Sequence, residues 1–172
     1  KRTQGNYKNG KEDGLWTGWY ENGQRMMEGT YENGEFEGLV TFWNENGKKK
    51  YEGTYKDNVE IGKIEWTYYE NGKKKLEETY KDEKEDGLHT WWFDNGQKER
   101  ERNYKDGKLD GIWTEWYENG QKRFEETYKD GELDGLVTMW YENGQKWIEF
   151  TYKDGKEISR KFWNEDGTLI KR

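Results

Sequence analysis

The chain of 172 residues carries a net charge of -7 and contains neither cysteine nor proline. The lack of cysteine excludes disulfides and thiolate metal sites, and the acidic balance argues against nucleic acids and anionic membranes as main partners. Only 29% of the residues are hydrophobic, whereas 17% are aromatic, and disordered chains are poor in aromatic residues. The composition therefore predicts a folded protein that buries aromatic side chains in place of aliphatic ones.

Turn-forming pairs recur along the chain with a period of about 24 residues. One series consists of Asn-Gly or Asp-Gly pairs that begin at Asn22, Asn46, Asn71, Asn95, Asn119, Asn143 and Asp166. A second series of turn-forming pairs lies out of phase with the first, and its pairs begin at Asn9, Asn33, Asp57, Asp106, Asp130 and Asp154. Two reversals in each period predict two strands, so that every repeat is expected to be one β-hairpin.

We predict an all-β fold, an elongated antiparallel meander of about seven tandem β-hairpin repeats in an open, twisted or curled ribbon. The array is expected to span residues 1–172 as a single domain, with a partial repeat at residues 1–10 and an atypical end repeat at residues 155–172. A lone hairpin is marginally stable in water, so each repeat is expected to depend on its neighbours. The first residue is not methionine; a processed or trimmed chain is expected, and the location stays open between the bacterial cytoplasm and secretion.

The first strand of each repeat is expected to begin after a loop glycine and to carry Leu, Thr and Trp at alternating positions, as at Leu136, Thr138 and Trp140. Alternate residues of a strand share a face, so these positions define the Leu-Thr-Trp face. In the second strand a variable apolar residue and a tyrosine share a parity, as at Ile148 and Tyr152. We predict a three-residue Glu-Asn-Gly loop with a G1 bulge, because that register collects these residues on the Leu-Thr-Trp face as its core.

The opposite side of the strands, here called the second face, carries aromatic and methionine residues that differ between repeats. Such residues are enriched in protein-binding patches. The candidate partner-binding residues are Trp16, Phe42, Trp91, Trp113, Met139 and Trp147. Two interpretations stay open: the second face packs against itself or another copy of the chain, or it binds a different protein.

The sequence indicates no catalytic set, metal site or cofactor site. His89 is the only histidine and is expected to be inert on the second face, while Ser159 lacks a nucleophile-elbow pattern. The Asp-Gly-x-x-Asp-Gly segments, such as residues 106–111, lack the ligand density of a calcium loop and are explained by turn chemistry. One turn is expected to differ from the others, because Glu83 replaces its glycine and tolerates left-handed backbone poorly. We therefore expect a protein that is not an enzyme.

Two groups of segments resemble a known repeat family. The runs at residues 51–55 and 27–31, Tyr-Glu-Gly-Thr-Tyr and Met-Glu-Gly-Thr-Tyr, are followed by Gly62 and Gly38 and resemble the MORN repeat. The runs Trp-Tyr-Glu-Asn-Gly-Gln-Lys at 116–122 and 140–146 resemble its bacterial variant, often labelled a YwqK-type antitoxin. The central glycine is replaced in the later repeats by Glu78, Arg102, Glu126 and Phe150.

The resemblance implies a ribbon of hairpins that serves as a scaffold, for dimerisation or for binding a partner, and it brings no catalytic residue. Lipid binding has been proposed for some members, and the antitoxin label implies that a toxin is neutralised by binding it. The expected function is therefore protein binding or self-association, with toxin neutralisation as its sharpest form.

Two alternatives stay open beside this function. One is an extracellular structural or fibre protein that assembles through sheet edges or the second face. Charges at Lys1, Arg2, Lys171 and Arg172 would oppose direct end-to-end pairing. The other is binding of a glycan or a choline-type ligand by the aromatic residues.

Overall fold

The structure is a computed structural model that describes residues 2–171, so Lys1 and Arg172 and their charges lie outside the described residues. The described residues form fifteen β-strands and no helix. The strands are β1 (Arg2–Lys8), β2 (Lys11–Trp19), β3 (Arg25–Glu32), β4 (Glu35–Trp43), β5 (Lys49–Lys56), β6 (Val59–Tyr68), β7 (Lys74–Lys81), β8 (Lys84–Glu85), β9 (Gly87–Trp92), β10 (Lys98–Lys105), β11 (Lys108–Trp116), β12 (Lys122–Lys129), β13 (Glu132–Trp140), β14 (Lys146–Lys153) and β15 (Lys156–Phe162).

The strands follow one another in the sheet in chain order, with β8 pairing to β7 beside this path. Neighbouring strands run antiparallel, as in β1–β2 and β14–β15, so the predicted all-β meander of hairpins is confirmed. The chain forms two compact units, here called unit 1 (residues 2–67 and 79–84) and unit 2 (residues 68–78 and 85–171). The single domain expected over residues 1–172 stays a prediction.

Each hairpin of the first turn series closes through the predicted loop with a left-handed glycine. Gly120 has a φ of 84°, its amide donates to the carbonyl of Tyr117 at 2.9 Å, and the amide of Tyr117 donates to the carbonyl of Gln121 at 2.9 Å. Glycine suits this position because it has no Cβ to clash in the left-handed region. The same two backbone bonds recur in the loops that begin at Tyr20, Asn44, Tyr69, Phe93, Tyr141 and Asn164.

The second turn series forms two-residue turns in which both central residues are left-handed. Asp130 and Gly131 have φ values of 52° and 92°, the pattern of a type I′ turn, whose twist matches that of the flanking strands. Asp82 and Glu83 adopt the same conformation, with φ values of 48° and 63°. The expectation that this turn differs is therefore wrong: the flanking strands determine the turn, and Glu83 is held in a conformation that is unfavourable for it.

The Asp-Gly-x-x-Asp-Gly segments join neighbouring repeats. A carboxylate oxygen of Asp110 accepts from the amide of Asp130, one repeat later, at 3.1 Å, and the amide of Gly131 donates to the carbonyl of Leu109 at 2.8 Å. Gly111 lies inside β11, where the register with β10 shifts, so the expectation that the first strand begins after this glycine is wrong. The same carboxylate-to-amide bond joins Glu37 with Asp57 and Asp86 with Asp106.

The predicted register of the second strand is wrong, because the hairpins contain a second bulge. Lys146 pairs with Trp140, but the next pair is Ile148 with Met139, which leaves Trp147 as an extra residue. A shift by one residue turns the remainder of a strand over. Ile148 and the tyrosine beyond it therefore lie on the second face and not on the Leu-Thr-Trp face. The same bulge occurs in the hairpins β2–β3, β4–β5, β9–β10 and β11–β12.

This register places buried residues on both faces and corrects the predicted core. Val137 and Ile148 are buried on the second face, and Thr138 is buried on the Leu-Thr-Trp face. Leu136 pairs with Thr151, a small polar neighbour, so the leucine row that was predicted to be core is exposed. The exposed members of this row are Leu15, Leu39, Leu88, Ile112 and Leu136.

A polar ladder that joins consecutive repeats stabilises the Leu-Thr-Trp face. The ammonium of Lys122 lies 5.7 Å from the ring centre of Trp140, one repeat later. The same ammonium pairs with Glu125, which accepts a hydrogen bond from the hydroxyl of Thr114 at 3.5 Å. A cation over an indole ring is attractive, and the lysine stem covers apolar surface. The cation–ring pair recurs for Arg25 with Trp43, Lys49 with Trp66, Lys74 with Trp92, Lys98 with Trp116 and Lys146 with Trp163.

Asparagine side chains connect the loops of the first turn series. The side-chain amide of Asn119 donates to the carbonyl of Glu142 at 3.0 Å, and its oxygen accepts from the amide of Gln121 at 2.9 Å. The hydroxyl of Tyr117 donates to the carbonyl of Trp140 at 2.8 Å. These bonds satisfy loop carbonyls and hold each loop against the next. The asparagine-to-carbonyl bond recurs for Asn22 with Glu45, Asn71 with Asp94, Asn95 with Glu118 and Asn143 with Glu165.

Candidate interaction face

Trp16 lies on the second face of unit 1, where it packs against residues of β1. Its ring meets the rings of Tyr7 and Tyr31 edge-on, with centroids 5.1 and 6.0 Å away. Its indole nitrogen donates to the carbonyl of Asn6 at 3.1 Å. A Cβ added at Gly5 would come within 2.2 Å of this ring. Trp16 is therefore engaged in packing β1 onto its neighbours within unit 1.

Phe42 lies in a groove on the second face of unit 1. Its ring centroid is 5.6 Å from that of Tyr51. The groove has a volume of about 450 Å³ and is also lined by Met26, Glu65 and Tyr20. Of the two predicted partner-binding residues in unit 1, Phe42 is the one that lines a groove at this position.

Three other predicted residues come together in a groove on the second face of unit 2. Trp113, Met139 and Trp147 line a groove of about 440 Å³ together with Phe124 and Tyr117. Trp147 is the extra residue of the second bulge, and its ring lies 6.1 Å from that of Tyr141. Trp147 is 47% exposed, whereas Trp113 and Met139 are half-buried.

Trp91 lies beside this groove and is connected to it through an arginine. The guanidinium of Arg102 lies 5.5 Å from the ring centre of Trp91 and 3.9 Å from that of Trp113. The guanidinium of Arg100 lies 5.0 Å from the ring centre of Trp91. The structure therefore brings Trp91, Trp113, Met139 and Trp147 into one region of unit 2, with arginines between the rings.

The arginines of this region were not predicted as site residues. Arg100, Arg102 and Arg123 lie on the second face, and Arg123 packs 6.0 Å from the ring centre of Tyr117. The placement of Arg100 and Arg102 depends on the second bulge, which the sequence pattern did not indicate. One signal in the sequence could have indicated these arginines. The Leu-Thr-Trp face carries lysines at Lys98 and Lys122 in this part of the chain, whereas nearby positions in the same strands hold arginine.

A family model described as the MORN repeat variant matches six segments of the chain. The matched segments are residues 12–33, 36–57, 65–82, 85–106, 109–130 and 133–154. The chain belongs to this family. Each match runs across one first-series loop and ends at a second-series turn, so one MORN repeat corresponds to one hairpin of the fold. No curated protein matches the chain.

MORN repeats generally form repeat scaffolds that mediate the binding of proteins or membranes. The described residues contain no helix that is long and apolar enough to cross a membrane. Within residues 2–171, no three histidine, aspartate or glutamate side chains are grouped as metal ligands would be.

His89 lies inside the packing of one MORN repeat. Its side chain is 0% exposed, and its Nδ1 atom lies 3.7 Å from a carboxylate oxygen of Glu85. Its ring centroid is 4.7 Å from that of Tyr104 and 6.1 Å from that of Trp91. The histidine therefore contacts the aromatic residues of the second face from within and presents no surface to solvent.

Charges on the two faces of the MORN repeats lie in different environments. On the second face, burial raises the pKa of Glu126, an effect that the hydrogen bond from Tyr128 partly opposes. Burial also raises the pKa of the Tyr128 hydroxyl, and its hydrogen bond to Glu126 raises it further. On the Leu-Thr-Trp face, hydrogen bonds from Lys146 and Lys161 lower the pKa of Glu149. Burial thus has the largest effect on the pKa of Glu126, whereas hydrogen bonding to lysine has the largest effect on that of Glu149.

Proposed function

We propose that this protein is a non-enzymatic scaffold that binds a partner protein through the second face of unit 2. The observation that carries the proposal is the convergence of Trp113, Met139 and Trp147 on one groove, with Trp147 47% exposed. Aromatic and methionine side chains with arginine neighbours have the composition of binding hot spots. The buried position of His89 supports a role without catalysis.

Photo-crosslinking from two matched positions tests this function. Trp147 on the second face and Leu136 on the Leu-Thr-Trp face are 47% and 49% exposed, so they differ in face and hardly in access. A photoreactive phenylalanine analogue is placed at one position or the other, and cell extract is irradiated with the purified protein. We expect a discrete protein adduct from position 147 and none from position 136. Equal labelling from both positions, or none from 147, would overturn the proposal.

The sharpest form of the proposal is that the partner is a toxin. Its support is the pair of runs at 116–122 and 140–146, which resemble the antitoxin-labelled repeats. Coexpression with toxins encoded beside this chain tests it: growth rescue that is lost in a Trp147→Ala variant is expected. Rescue that survives this substitution would contradict the use of the second face.

Self-assembly and ligand binding give different results in the same experiments. Adducts between two copies of the chain at position 147 would replace partner binding with assembly through the second face. The edge of β15 is partly covered, because the amide of Ile170 donates to the carbonyl of Phe162 at 2.8 Å. Protection of Trp147 fluorescence from a quencher by a glycan or by choline, without a protein adduct, would favour the ligand-binding alternative.

A further inference from the structure

Every arginine in the described part of unit 2 stacks on an aromatic ring of the second face. Arg102 has the closest contact, 3.9 Å from the ring centre of Trp113. The other three pairs are Arg100 with Trp91 at 5.0 Å, Arg123 with Tyr117 at 6.0 Å and Arg160 with Phe150 at 6.0 Å. On the opposite face of unit 2 the same role falls to lysines, such as Lys122 over Trp140. Within unit 2 these arginines therefore lie on the second face, which also carries a lysine, Lys75, 5.6 Å from the ring centre of Tyr69.

Three of these guanidinium groups keep most of their hydrogen-bond donors unused. The nearest carboxylates to Arg100 are those of Glu99 and Glu115, at 3.7 and 3.9 Å, which is beyond hydrogen-bond length. Arg123 lies 3.9 Å from Glu115, and Arg102 donates one long bond of 3.5 Å to the hydroxyl of Tyr104. A charge-assisted bond between a guanidinium and a carboxylate normally measures about 2.7–2.9 Å.

Burial makes these unused donors more significant. The Nε atoms of Arg100 and Arg102 and the indole nitrogen of Trp113 are buried and have no hydrogen-bond partner among residues 2–171. Buried donors are normally paired. Arg160 provides a comparison in the same unit, because its Nε donates to Glu157 at 2.6 Å. The Nε donors of Arg100 and Arg102 therefore lack the acceptor that the Nε of Arg160 has.

The groove described above lies beside these arginines. Arg123 and Glu115 line it together with Trp113, Phe124 and Met139. Arg123 is 61% exposed, so an acceptor from outside can reach it. The region thus offers guanidinium groups that have only long contacts with carboxylates, next to a groove that can hold an apolar side chain.

We propose that these arginines and the adjoining groove receive an acidic segment of a partner protein. A carboxylate of the segment binds the guanidinium groups of Arg100 and Arg123, and a neighbouring aromatic or aliphatic side chain enters the groove. The planar guanidinium matches a carboxylate in a bidentate geometry, and stacking on an aromatic ring holds it in place before binding. This inference rests on the proposed function, since it names the chemistry of the partner that binds the second face.

A single acidic side chain fits this region better than a polyanion does. The chain carries a net charge of -7, which repels a nucleic acid at long range, and apolar rings make up much of the groove. Glu115 lies 3.9 Å from both Arg100 and Arg123, so it competes with an incoming carboxylate. Removal of the charge of Glu115 should therefore strengthen binding.

Fluorescence anisotropy with the full chain tests the proposal. The probe is a short fluorescein-labelled peptide of alternating glutamate and leucine, and its control has glutamine in place of glutamate. We expect the glutamate peptide to bind about tenfold more tightly than the glutamine peptide. Equal binding of the two peptides, or displacement of the glutamate peptide by inorganic phosphate at low concentration, would overturn the proposal.

Variants in β11 and β12 separate a specific site from a general effect of charge. Arg123→Gln should weaken binding of the glutamate peptide about fivefold or more, and Glu115→Gln should strengthen it. Lys129→Gln is the matched control, because Lys129 lies in the same strand β12, is exposed and carries the same charge. An equal loss in the Lys129 variant would contradict the proposal. Circular dichroism shows whether each variant retains its fold.

The photo-crosslinking result separates failure of this inference from failure of the proposed function. A partner adduct at position 147 without a preference for the glutamate peptide would leave the scaffold function standing and overturn the acidic partner. A preference for the glutamate peptide without any adduct would overturn the scaffold function and leave the recognition of an acidic segment standing.

Discussion

Lys122 lies over the indole ring of Trp140, which belongs to the next repeat, with its ammonium 5.7 Å from the ring centre. The same ammonium pairs with Glu125 on its own strand. One side chain thus joins a contact within a repeat to a contact between repeats. Because this arrangement recurs along the chain, cohesion on the Leu-Thr-Trp face comes from charged and aromatic residues, which accounts for a folded chain with few aliphatic residues.

Trp140→Ala should destabilise the protein more than Lys122→Met does. The ring is half-buried, so its removal should cost about 2–3 kcal/mol, below the loss for a fully buried tryptophan. Lys122→Met keeps most of the apolar stem and removes the charge, and should cost about 0.5–1 kcal/mol. Urea unfolding measures both. Equal losses would show that the charge, and not ring packing, dominates the ladder.

Glu83→Gly should stabilise the protein by about 1 kcal/mol, because Glu83 has a φ of 63° and a left-handed backbone is unfavourable for a residue with a Cβ. Gly131→Glu places the same side chain at the equivalent position of another type I′ turn and should destabilise by a similar amount. Thermal unfolding of the two variants checks the pair. An unchanged midpoint in both would mean that these turns do not strain a glutamate.

Asn119→Asp should destabilise the protein by about 1–2 kcal/mol, because it removes the amide donor to the carbonyl of Glu142 and places a carboxylate oxygen beside that carbonyl. Asn33→Asp is the control. Asn33 occupies the first position of a type I′ turn with a φ of 53°, where other repeats have aspartate, as at Asp130. Its effect on unfolding in urea should be near zero. A similar loss in both variants would contradict a specific role for the ladder of asparagines.

Glu126→Gln and Glu149→Gln should have opposite effects on stability at neutral pH. Burial raises the folded-state pKa of Glu126, so its ionised form opposes folding above the unfolded pKa of about 4.5, and stability is regained as the pH falls through the folded value. Hydrogen bonds from lysines lower the folded-state pKa of Glu149, so it stabilises above that unfolded value and loses the contribution as the pH falls through its folded value.

Urea unfolding at pH 7 and at about pH 3 measures both variants. Glu126→Gln should be more stable than the parent protein at pH 7, and Glu149→Gln should be less stable. Both differences should shrink at the lower pH, as the parent carboxyl groups take up protons. Stabilisation by Glu149→Gln at pH 7 would show that its pairing with Lys146 and Lys161 does not offset desolvation.

The sequence predicts the period, the hairpins and the two kinds of turn, because each depends on a few residues that are adjacent in the chain. Gly120 marks a left-handed residue, and Asp130 with Gly131 marks a type I′ turn, whatever the strands pack against. The Asp82-Glu83 turn was the exception. Its type I′ conformation is imposed by the paired strands on either side, and no local preference of glutamate indicates it.

The composition and the turn residues alone determined that the chain forms repeated antiparallel hairpins. They also determined that aromatic side chains occupy alternating positions. Only the tertiary structure decided which of those side chains share a face. One extra residue in the second strand, such as Trp147, turns Ile148 to the second face and leaves Leu136 exposed. A bulge of this kind gains its stability from pairing and packing across strands, so the sequence of the strand alone does not mark it.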